Sequence, residues 1–240
     1  MVISRQVENV LLTDQVYSAI HEAIMNGELP AGSRLRVRDL AKQVGTSVMP
    51  VREAIRRLEE AGLAERAPHK GAVVKGLSLE ELVHVYEVRR LLEVEAARLG
   101  TQRITAADCD RMQTEYDRMR TAINEGHVVP LLDHDEALLT ILYSAAGNPV
   151  LAQSISNLWH HCRAYKIVGA KGTLGSGEER SLWRYQHDLI IAVRKKDDAT
   201  AAMVTDASLV DATERIKALL AMQTDAGAVS EPVPGPTRSD

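Results

Sequence analysis

The order of apolar and polar positions predicts a helix near the start of the chain. Val16, Ile20 and Ile24 recur at the spacing of one helical face. Thr13 is a suitable N-cap for this helix, and Gly27 can end it in the left-handed conformation. We therefore expect an amphipathic helix that begins at Thr13 and buries its apolar face.

Two shorter helices follow in the same pattern. Apolar spacing predicts one over Val37–Val44 and another over Val48–Ala61. Gly45 and Thr46 form the tight turn between them, and Pro50 falls in a first turn, where its missing N–H costs little. This arrangement is typical of a helix-turn-helix, in which the start of the second helix enters the major groove of DNA. The outward set on that second helix is Ser47, Val48, Met49, Arg52 and Arg56.

A hairpin is predicted directly after the third helix. We expect strands in "LAERAP" and "GAVVKG", with "HKG" at the tip. Such a hairpin would be a wing beside the helix-turn-helix. Gly71 would let its backbone approach a minor groove closely, while Lys70 would pair with a phosphate.

The remainder of the chain shows helical periodicity and no strand-like alternation. Ser78 and Glu81 have the spacing of a capping box. Further helices are predicted over Thr105–Glu125, Val129–Ala145, Asn148–Val168, Glu178–Lys195 and Asp198–Met222. About six helices with short connections predict an antiparallel bundle. We expect a flexible loop over Gly169–Gly177 and disorder in residues 225–240, which are rich in Pro, Gly and Ser. The sequence thus predicts a mainly α protein with domains at residues 1–76 and 77–224.

Composition narrows the class of protein. Aromatic residues make up 3% of the 240 residues and Phe is absent, which favours helices over a β-sandwich. The two cysteines, Cys109 and Cys162, are too few for a disulfide framework or a cysteine zinc site. No apolar run approaches the ~20 residues that a membrane span needs, and the N-terminus lacks a signal peptide's apolar stretch. We therefore expect a cytoplasmic protein with no membrane partner.

Charge is distributed unevenly along the chain. Residues 1–76 carry 11 Lys and Arg against 9 Asp and Glu, whereas residues 77–240 carry 18 against 24. A locally basic segment on an acidic body suits an oriented contact with nucleic acid. Basic stretches are also common on ordinary solvated surfaces, so the signal supports the helix-turn-helix prediction without establishing it.

The N-terminal segment resembles a known family. "QVYSAIHEAIMNGELPAGSRLRVRDLAKQVGTSVMPVREAIRRLEEAGLAERAPHKGAVV" is similar to the winged helix-turn-helix of GntR-family bacterial transcription regulators. The resemblance implies that Arg38 and Arg52 read base edges or clamp phosphate, and that Ser47 bonds phosphate. Many members carry arginine where this chain has Val48, so an apolar contact with a thymine methyl is the alternative there.

The helical half resembles the FCD-type effector domain of the FadR-like GntR subfamily. The matching segments are "YEVRRLLEVEAARL", "LLDHDEALLTILYSAAGNPVL" and "YQHDLIIAVRKKDDATAA". In many members one aspartate and three histidines hold a divalent metal. Here those positions fall on Asp135, Leu139, His187 or Gln186, and Ser208 or Leu209. Leucine, serine and amide side chains cannot make a tight nitrogen-ligand site, so we expect no metal and no other cofactor.

The bundle instead suggests an organic ligand. Arg89 shares a helical face with apolar residues, and a buried guanidinium needs a partner. That partner is either Glu93, one turn away, or the carboxylate of a bound effector. In the second case Asp135 and His187 would contact the rest of the effector.

These features together predict a homodimeric transcriptional regulator. Two copies related by a twofold axis would bind an inverted-repeat operator, and repression with release by an organic acid is the outcome that the family suggests. The alternative is a DNA-binding regulator without a ligand, whose bundle serves only dimerisation. An enzyme is disfavoured, because no nucleophile–base pair or metal set has the spacing of a catalytic motif.

Overall fold

Three helices and a two-stranded hairpin form the N-terminal part of the computed structural model, which describes residues 2–177 and 179–228. The elements are α1 (Val2–Met25), α2 (Val37–Gln43), α3 (Val48–Glu60), β1 (Ala64–Ala67) and β2 (Gly71–Val74). The prediction that the first helix begins at Thr13 was wrong, because α1 continues back to Val2. Residues 2–12 contain neither glycine nor proline, so nothing in the local sequence breaks the helix there.

The core of this winged unit lies between α1, α2, α3 and the hairpin. Val51, Ala54 and Leu58 on α3 are fully buried, and Val16 and Ile20 on α1 pack against the same cluster. The periodicity that predicted the helices therefore also identified their buried faces. Leucine, isoleucine, valine and alanine supply most of this core, as the low aromatic content requires.

The wing is anchored on both sides of β2. On one side β2 pairs antiparallel with β1, with Ala64 opposite Val74 and Ala67 opposite Gly71. On the other side, Leu35 N donates to Ala72 O at 2.8 Å, so the extended segment before α2 pairs with β2. Gly71 at the tip has φ 74, a left-handed conformation that suits glycine.

Six helices build the second part of the chain within the described residues. They are α4 (Leu79–Arg103), α5 (Ala106–Glu125), α6 (Val128–Ala145), α7 (Pro149–Thr173), α8 (Arg184–Arg194) and α9 (Asp198–Ala228). Helix α4 packs along α9 and also contacts α6 and α7. The predicted capping box is present: Glu81 N donates to Ser78 Oγ, and Ser78 N donates to the Glu81 carboxylate. The helical bundle predicted from the sequence is therefore confirmed.

Three predicted boundaries in the bundle were wrong. Helix α7 continues to Thr173, so the first part of the predicted loop is helical, because Ile167 and Ala170 are buried in the core despite the nearby glycines. The predicted helix Glu178–Lys195 is divided into a 3₁₀ turn over Glu179–Leu182 and α8. Helix α9 extends to Ala228, and the rest of the tail predicted to be disordered, residues 229–240, lies outside the described residues.

The winged unit rests on the bundle through α1 and α7. The rings of His21 and His160 meet edge to face with centroids 5.0 Å apart. Arg163 Nε on α7 donates to Met25 O, the carbonyl of the last residue of α1, at 3.1 Å. These contacts fix the end of α1 against the bundle. None of the described helices combines the length and the apolar composition that a membrane span requires.

Candidate functional site

The side chains predicted to contact DNA lie together on the surface of the winged unit. All are exposed, and we call the set the recognition face: Arg38, Ser47, Val48, Met49, Arg52, Arg56, Lys70 and Gly71. Met49 is 68% exposed although the adjacent positions Pro50 and Val51 are buried. An exposed apolar residue at the start of α3, the second helix of the helix-turn-helix, is available for contact with a base.

Two adjoining grooves organise the recognition face, and Arg52 lines both. The first lies between the start of α2 and the start of α3 and also includes Arg38 and Val48. The second lies between α3 and the wing and also includes Lys70 and Gly71. Arg52 therefore lies where the two grooves meet, as do Arg36 and Val37, and it can reach ligands in either groove.

The cations of the recognition face differ in whether a carboxylate of the protein already pairs with them. Arg56 Nε donates to Glu53 at 3.0 Å, and its guanidinium also contacts Glu60. Within the residues that the structure describes, neither Arg38, Arg52 nor Lys70 has a carboxylate partner. The three unpaired cations are therefore better placed than Arg56 to bind phosphate or base edges.

A cavity of about 550 Å³ opens inside the helical bundle. Its apolar wall includes Leu131, Leu132, Leu139, Leu189, Val204 and Leu209. The polar lining includes the buried residues Arg89, Glu93 and Asp135 together with Lys166 and Arg215. The described lining residues thus include three cations and two carboxylates, while Lys166 and Arg215 also pair with Glu136 and Asp211 outside the lining. A mainly apolar cavity of this size with a few convergent polar groups is typical of a small-molecule site.

Arg89 is paired inside the protein. Its Nε lies 2.6 Å from Glu93 Oε1, and its guanidinium stacks 4.4 Å from the centre of the Tyr86 ring. Burial lowers the pKa of Arg89, but the attraction of Glu93 outweighs burial and raises the pKa well above its ordinary value. Of the two partners considered for this residue, the structure places Glu93 beside it. Arg89 Nη1, which is also buried, has no hydrogen-bond partner among the described residues.

Asp135 lies at the cavity wall with both carboxylate oxygens engaged. Oδ1 accepts from Gln186 Nε2 at 2.6 Å, and Oδ2 accepts from Lys166 Nζ at 3.0 Å. Burial lowers the pKa of Lys166, but Asp135 and Glu136 outweigh burial and raise it. The sequence analysis missed Lys166. The available signal was its spacing on α7, since it follows the buried residues Trp159 and Cys162 along one helical face.

The structure does not bring His187 to Arg89 and Asp135. The His187 side chain is half exposed, and its Nδ1 lies 3.1 Å from Asp188 Oδ1. Its neighbour Gln186 lines the cavity instead. Adjacent helical residues point about 100° apart, so a shift of one position moves a side chain from the cavity to the surface.

The residues present do not fit the divalent metal that the resemblance to the FCD-type domain implies. Asp135, Leu139, Gln186 and Ser208 line the cavity. Leu139 offers no donor atom, and both oxygens of Asp135 are already bound to nitrogen donors. The described residues contain no group of three or more His, Cys, Asp or Glu that could hold a metal ion.

Comparison with known proteins identifies both parts of the chain. Residues 12–74 match "Bacterial regulatory proteins, gntR family", and residues 84–211 match the FCD domain. The transcriptional regulator McbR of Escherichia coli K12 is 27% identical over 154 residues, 64% of this chain and 70% of McbR. A probable D-xylose utilization operon transcriptional repressor of Paenarthrobacter nicotinovorans is 38% identical over 97 residues, 40% of this chain and 43% of that protein.

Solved structures share the fold. The structure of E. coli McbR/YncC matches with a TM-score of 0.75 at 23% identity, covering 89% of this chain and 98% of McbR/YncC. A GntR regulator from Rhodococcus sp. RHA1 matches with a TM-score of 0.73 at 21% identity, covering 86% and 97% of the two chains. These relatives are DNA-binding transcriptional regulators rather than enzymes. The chain therefore belongs to the GntR family of bacterial transcriptional regulators, in which a winged helix-turn-helix is followed by an FCD effector-binding domain.

Proposed function

We propose that this regulator is a homodimeric repressor that leaves an inverted-repeat operator when a small organic acid fills the bundle cavity. The observation that carries the effector part is the cavity of about 550 Å³, whose lining includes three cations and the buried, unpartnered Nη1 of Arg89. A mainly apolar wall with convergent cations suits a molecule with one carboxylate and a hydrocarbon body.

The unpaired cations of the recognition face support the DNA part of the proposal. Arg52, between the two grooves, would read a guanine through O6 and N7, the commonest specific contact of arginine in a major groove. Arg38 would contact bases or phosphate from the start of α2, and Lys70 would bind phosphate from the wing. The named repressor among the relatives supports repression as the outcome.

Dimerisation follows from the small size of one recognition face. One winged unit covers only a few base pairs, so a twofold pair gains both affinity and sequence information. The apolar faces of α1, α2 and α3 are buried in the core of the winged unit. The bundle would therefore form the contact between the two copies. Helix α4 exposes Val88 and Leu91, one turn apart, and Leu91 is 74% exposed.

The effector would meet two basic groups in the cavity. Lys166 Nζ, held by Asp135, and the unpartnered Nη1 of Arg89 are the candidates to bind its carboxylate. Asp135 and Gln186 would contact polar groups on the rest of the molecule. His187 is excluded from this part of the proposal by its position on the surface.

A regulator without a ligand is the second candidate. The observation that favours it is internal pairing, since Arg89 already has Glu93 and Asp135 already has Lys166 and Gln186. In that case the bundle would only hold two winged units together.

The two candidates differ in their response to organic acids. An operator is first selected from random duplex DNA with the full-length protein, and light scattering gives the oligomeric state at tens of micromolar. A panel of mono- and dicarboxylates is then screened by thermal shift, and hits are tested for release of that operator. The effector proposal expects a hit that stabilises wild type, releases DNA and loses affinity in Lys166→Met. Stabilisation by no member of the panel supports the ligand-free candidate, and a monomer contradicts the dimer.

A further inference from the structure

Four ionised side chains form a continuous line from the cavity to the winged unit. Lys166 Nζ lies 3.0 Å from Asp135 Oδ2 at the cavity wall and 3.4 Å from Glu136 Oε1. The same Oε1 atom also faces Arg163, whose Nη1 lies 3.1 Å away. Arg163 in turn donates to Met25 O at the end of α1. A cavity residue and the last turn of α1 are thus separated by only two further side chains.

Glu136 is the shared member of this line. It is mostly shielded from solvent, and one of its oxygens faces both Lys166 and Arg163. Burial raises the pKa of Glu136, but the two cations outweigh burial and hold it below its ordinary value. Glu136 is therefore an ionised carboxylate that two cations share, and a change at one cation alters its attraction for the other.

Arg163 is the member that reaches the winged unit. Its side chain is 4% exposed, and its guanidinium is divided between Glu136, Asp133 and the Met25 carbonyl. Carbonyls in the last turn of a helix lack partners within that helix, so Arg163 satisfies one that α1 leaves open. Helix α1 packs directly on α3, where Asp14 on α1 lies 2.6 Å from Arg57. A displacement of the end of α1 would therefore also move α3, the helix that carries Arg52.

We propose that Lys166, Glu136 and Arg163 form an ionic relay through which the occupant of the cavity weakens the hold of the bundle on α1. The relay rests on the proposed function, in which a carboxylate enters the cavity. That carboxylate competes with Glu136 for Lys166, and the Lys166–Glu136 contact is the longer of the two that Lys166 makes. Glu136 then has Arg163 as its remaining cation and draws the guanidinium away from Met25 O.

The relay can be tested on the full-length protein without any ligand. Lys166→Met removes the ammonium group from Glu136, as a competing carboxylate would, and keeps a side chain of similar length. The readout is amide hydrogen exchange at Asn26, Gly27 and Leu29, whose N–H groups close the end of α1 by bonding to Glu22 O, Ile24 O and Ala23 O. We expect exchange at these amides to be at least about threefold faster than in wild type. The amides exchange when the end of α1 opens locally, and opening becomes easier when fewer contacts hold that end.

Matched variants separate the relay from a general loosening of the bundle. Ser208→Ala changes the same cavity outside the relay and should leave the three amides unchanged. Glu136→Gln removes the carboxylate that draws on Arg163, so Lys166→Met should produce no acceleration in the Glu136→Gln background. Lys166→Met combined with Asp135→Asn avoids leaving Asp135 as a buried carboxylate without its cation. If Lys166→Met alone folds poorly, this double variant should show the acceleration of exchange expected for the single variant.

Two outcomes would overturn the relay. One is unchanged or slower exchange at Asn26, Gly27 and Leu29 in both Lys166 variants. The other is equal acceleration by Lys166→Met in wild type and in the Glu136→Gln background, which would mean that the two residues act independently. Neither result depends on an effector, so failure of the relay is distinct from failure of the proposed function, which the carboxylate screen decides.

Discussion

Arg89 Nε lies 2.6 Å from Glu93 Oε1, one helical turn along the buried face of α4. The same glutamate accepts from Trp159 Nε1 at 2.9 Å and from Tyr143 Oη at 3.2 Å. Glu93 therefore joins α4 to α6 and α7 at the wall of the cavity. A charged pair in this position orders the cavity lining and makes the bundle sensitive to loss of either partner.

Replacing Arg89 by Met should destabilise the protein strongly. The change leaves Glu93 buried without its cation, and breaking a buried pair in this way costs about 3–5 kcal/mol. The measurement is urea unfolding of the variant against wild type. Arg90→Met is the matched control, because Arg90 pairs with Asp206 on the surface and its loss should change stability little. Equal effects of the two substitutions would contradict a structural role for the Arg89 pair.

Gly100→Ala should also destabilise the bundle. A Cβ at Gly100 would lie 2.2 Å from the backbone oxygen of Leu142, so α4 and α6 would have to move apart. Overpacking of this kind costs about 1–3 kcal/mol. Gly172→Ala on α7 is the control, since a Cβ there meets nothing within 4 Å and alanine favours a helix. Thermal unfolding should therefore move in opposite directions for the two variants.

The winged unit was largely predictable because each of its landmarks has a local physical role. Gly45 and Gly62 adopt φ 69 and φ 71, the left-handed geometry for which a helix stop selects glycine. The same kind of local rule gave the wrong start for α1. Threonine is a suitable N-cap residue, so Thr13 was taken as the start, but nothing in the preceding residues breaks the helix. Local rules identify where a helix can begin, and the rest of the chain determines where it does.

The cavity was less predictable because it depends on how helices face one another. The resemblance placed one metal-ligand position at either His187 or Gln186. This difference of one residue determines whether the side chain lies on the surface or lines the cavity. Lys166 gains its role only because α7 packs on α6, which brings it to Asp135 and Glu136. Contacts between distant segments are not encoded in the periodicity of either helix.

Acidification should weaken the contact between α1 and α7. Burial lowers the pKa of His21, against a smaller opposing effect of Glu22, and burial likewise lowers the pKa of His160. Both rings are therefore neutral in the folded protein near neutral pH. Below about pH 6.5 the unfolded chain binds protons that the folded chain resists, so the free energy of unfolding falls with pH, while this contribution is unaffected above that value.

The test of this prediction is a comparison at two pH values. Urea midpoints are measured at about pH 7.5 and about pH 5.5, which span the ordinary histidine pKa. Other groups face the same contact, namely Tyr17, Glu22, Asp133, Glu136 and Arg163, so the informative quantity is the difference between variants. His160→Phe keeps an aromatic ring and should lose less stability on acidification than wild type, whereas exposed His84→Phe should behave like wild type. Identical losses in all three proteins would contradict the prediction.

Substitutions on the recognition face should separate base reading from phosphate binding. Arg52 lines both grooves and has no carboxylate partner among the described residues, so Arg52→Ala should cost about 1–3 kcal/mol in operator binding and relax base preference. Lys70 lies at the wing tip, and Lys70→Ala should weaken all sequences evenly and reduce the salt dependence of binding. Arg56→Ala is the comparison, because Glu53 and Glu60 already hold that guanidinium and its loss should matter less. The measurement is a fluorescence anisotropy titration of the selected operator and of a scrambled duplex at several salt concentrations. Wild-type binding by both Arg52→Ala and Lys70→Ala would show that DNA is contacted elsewhere.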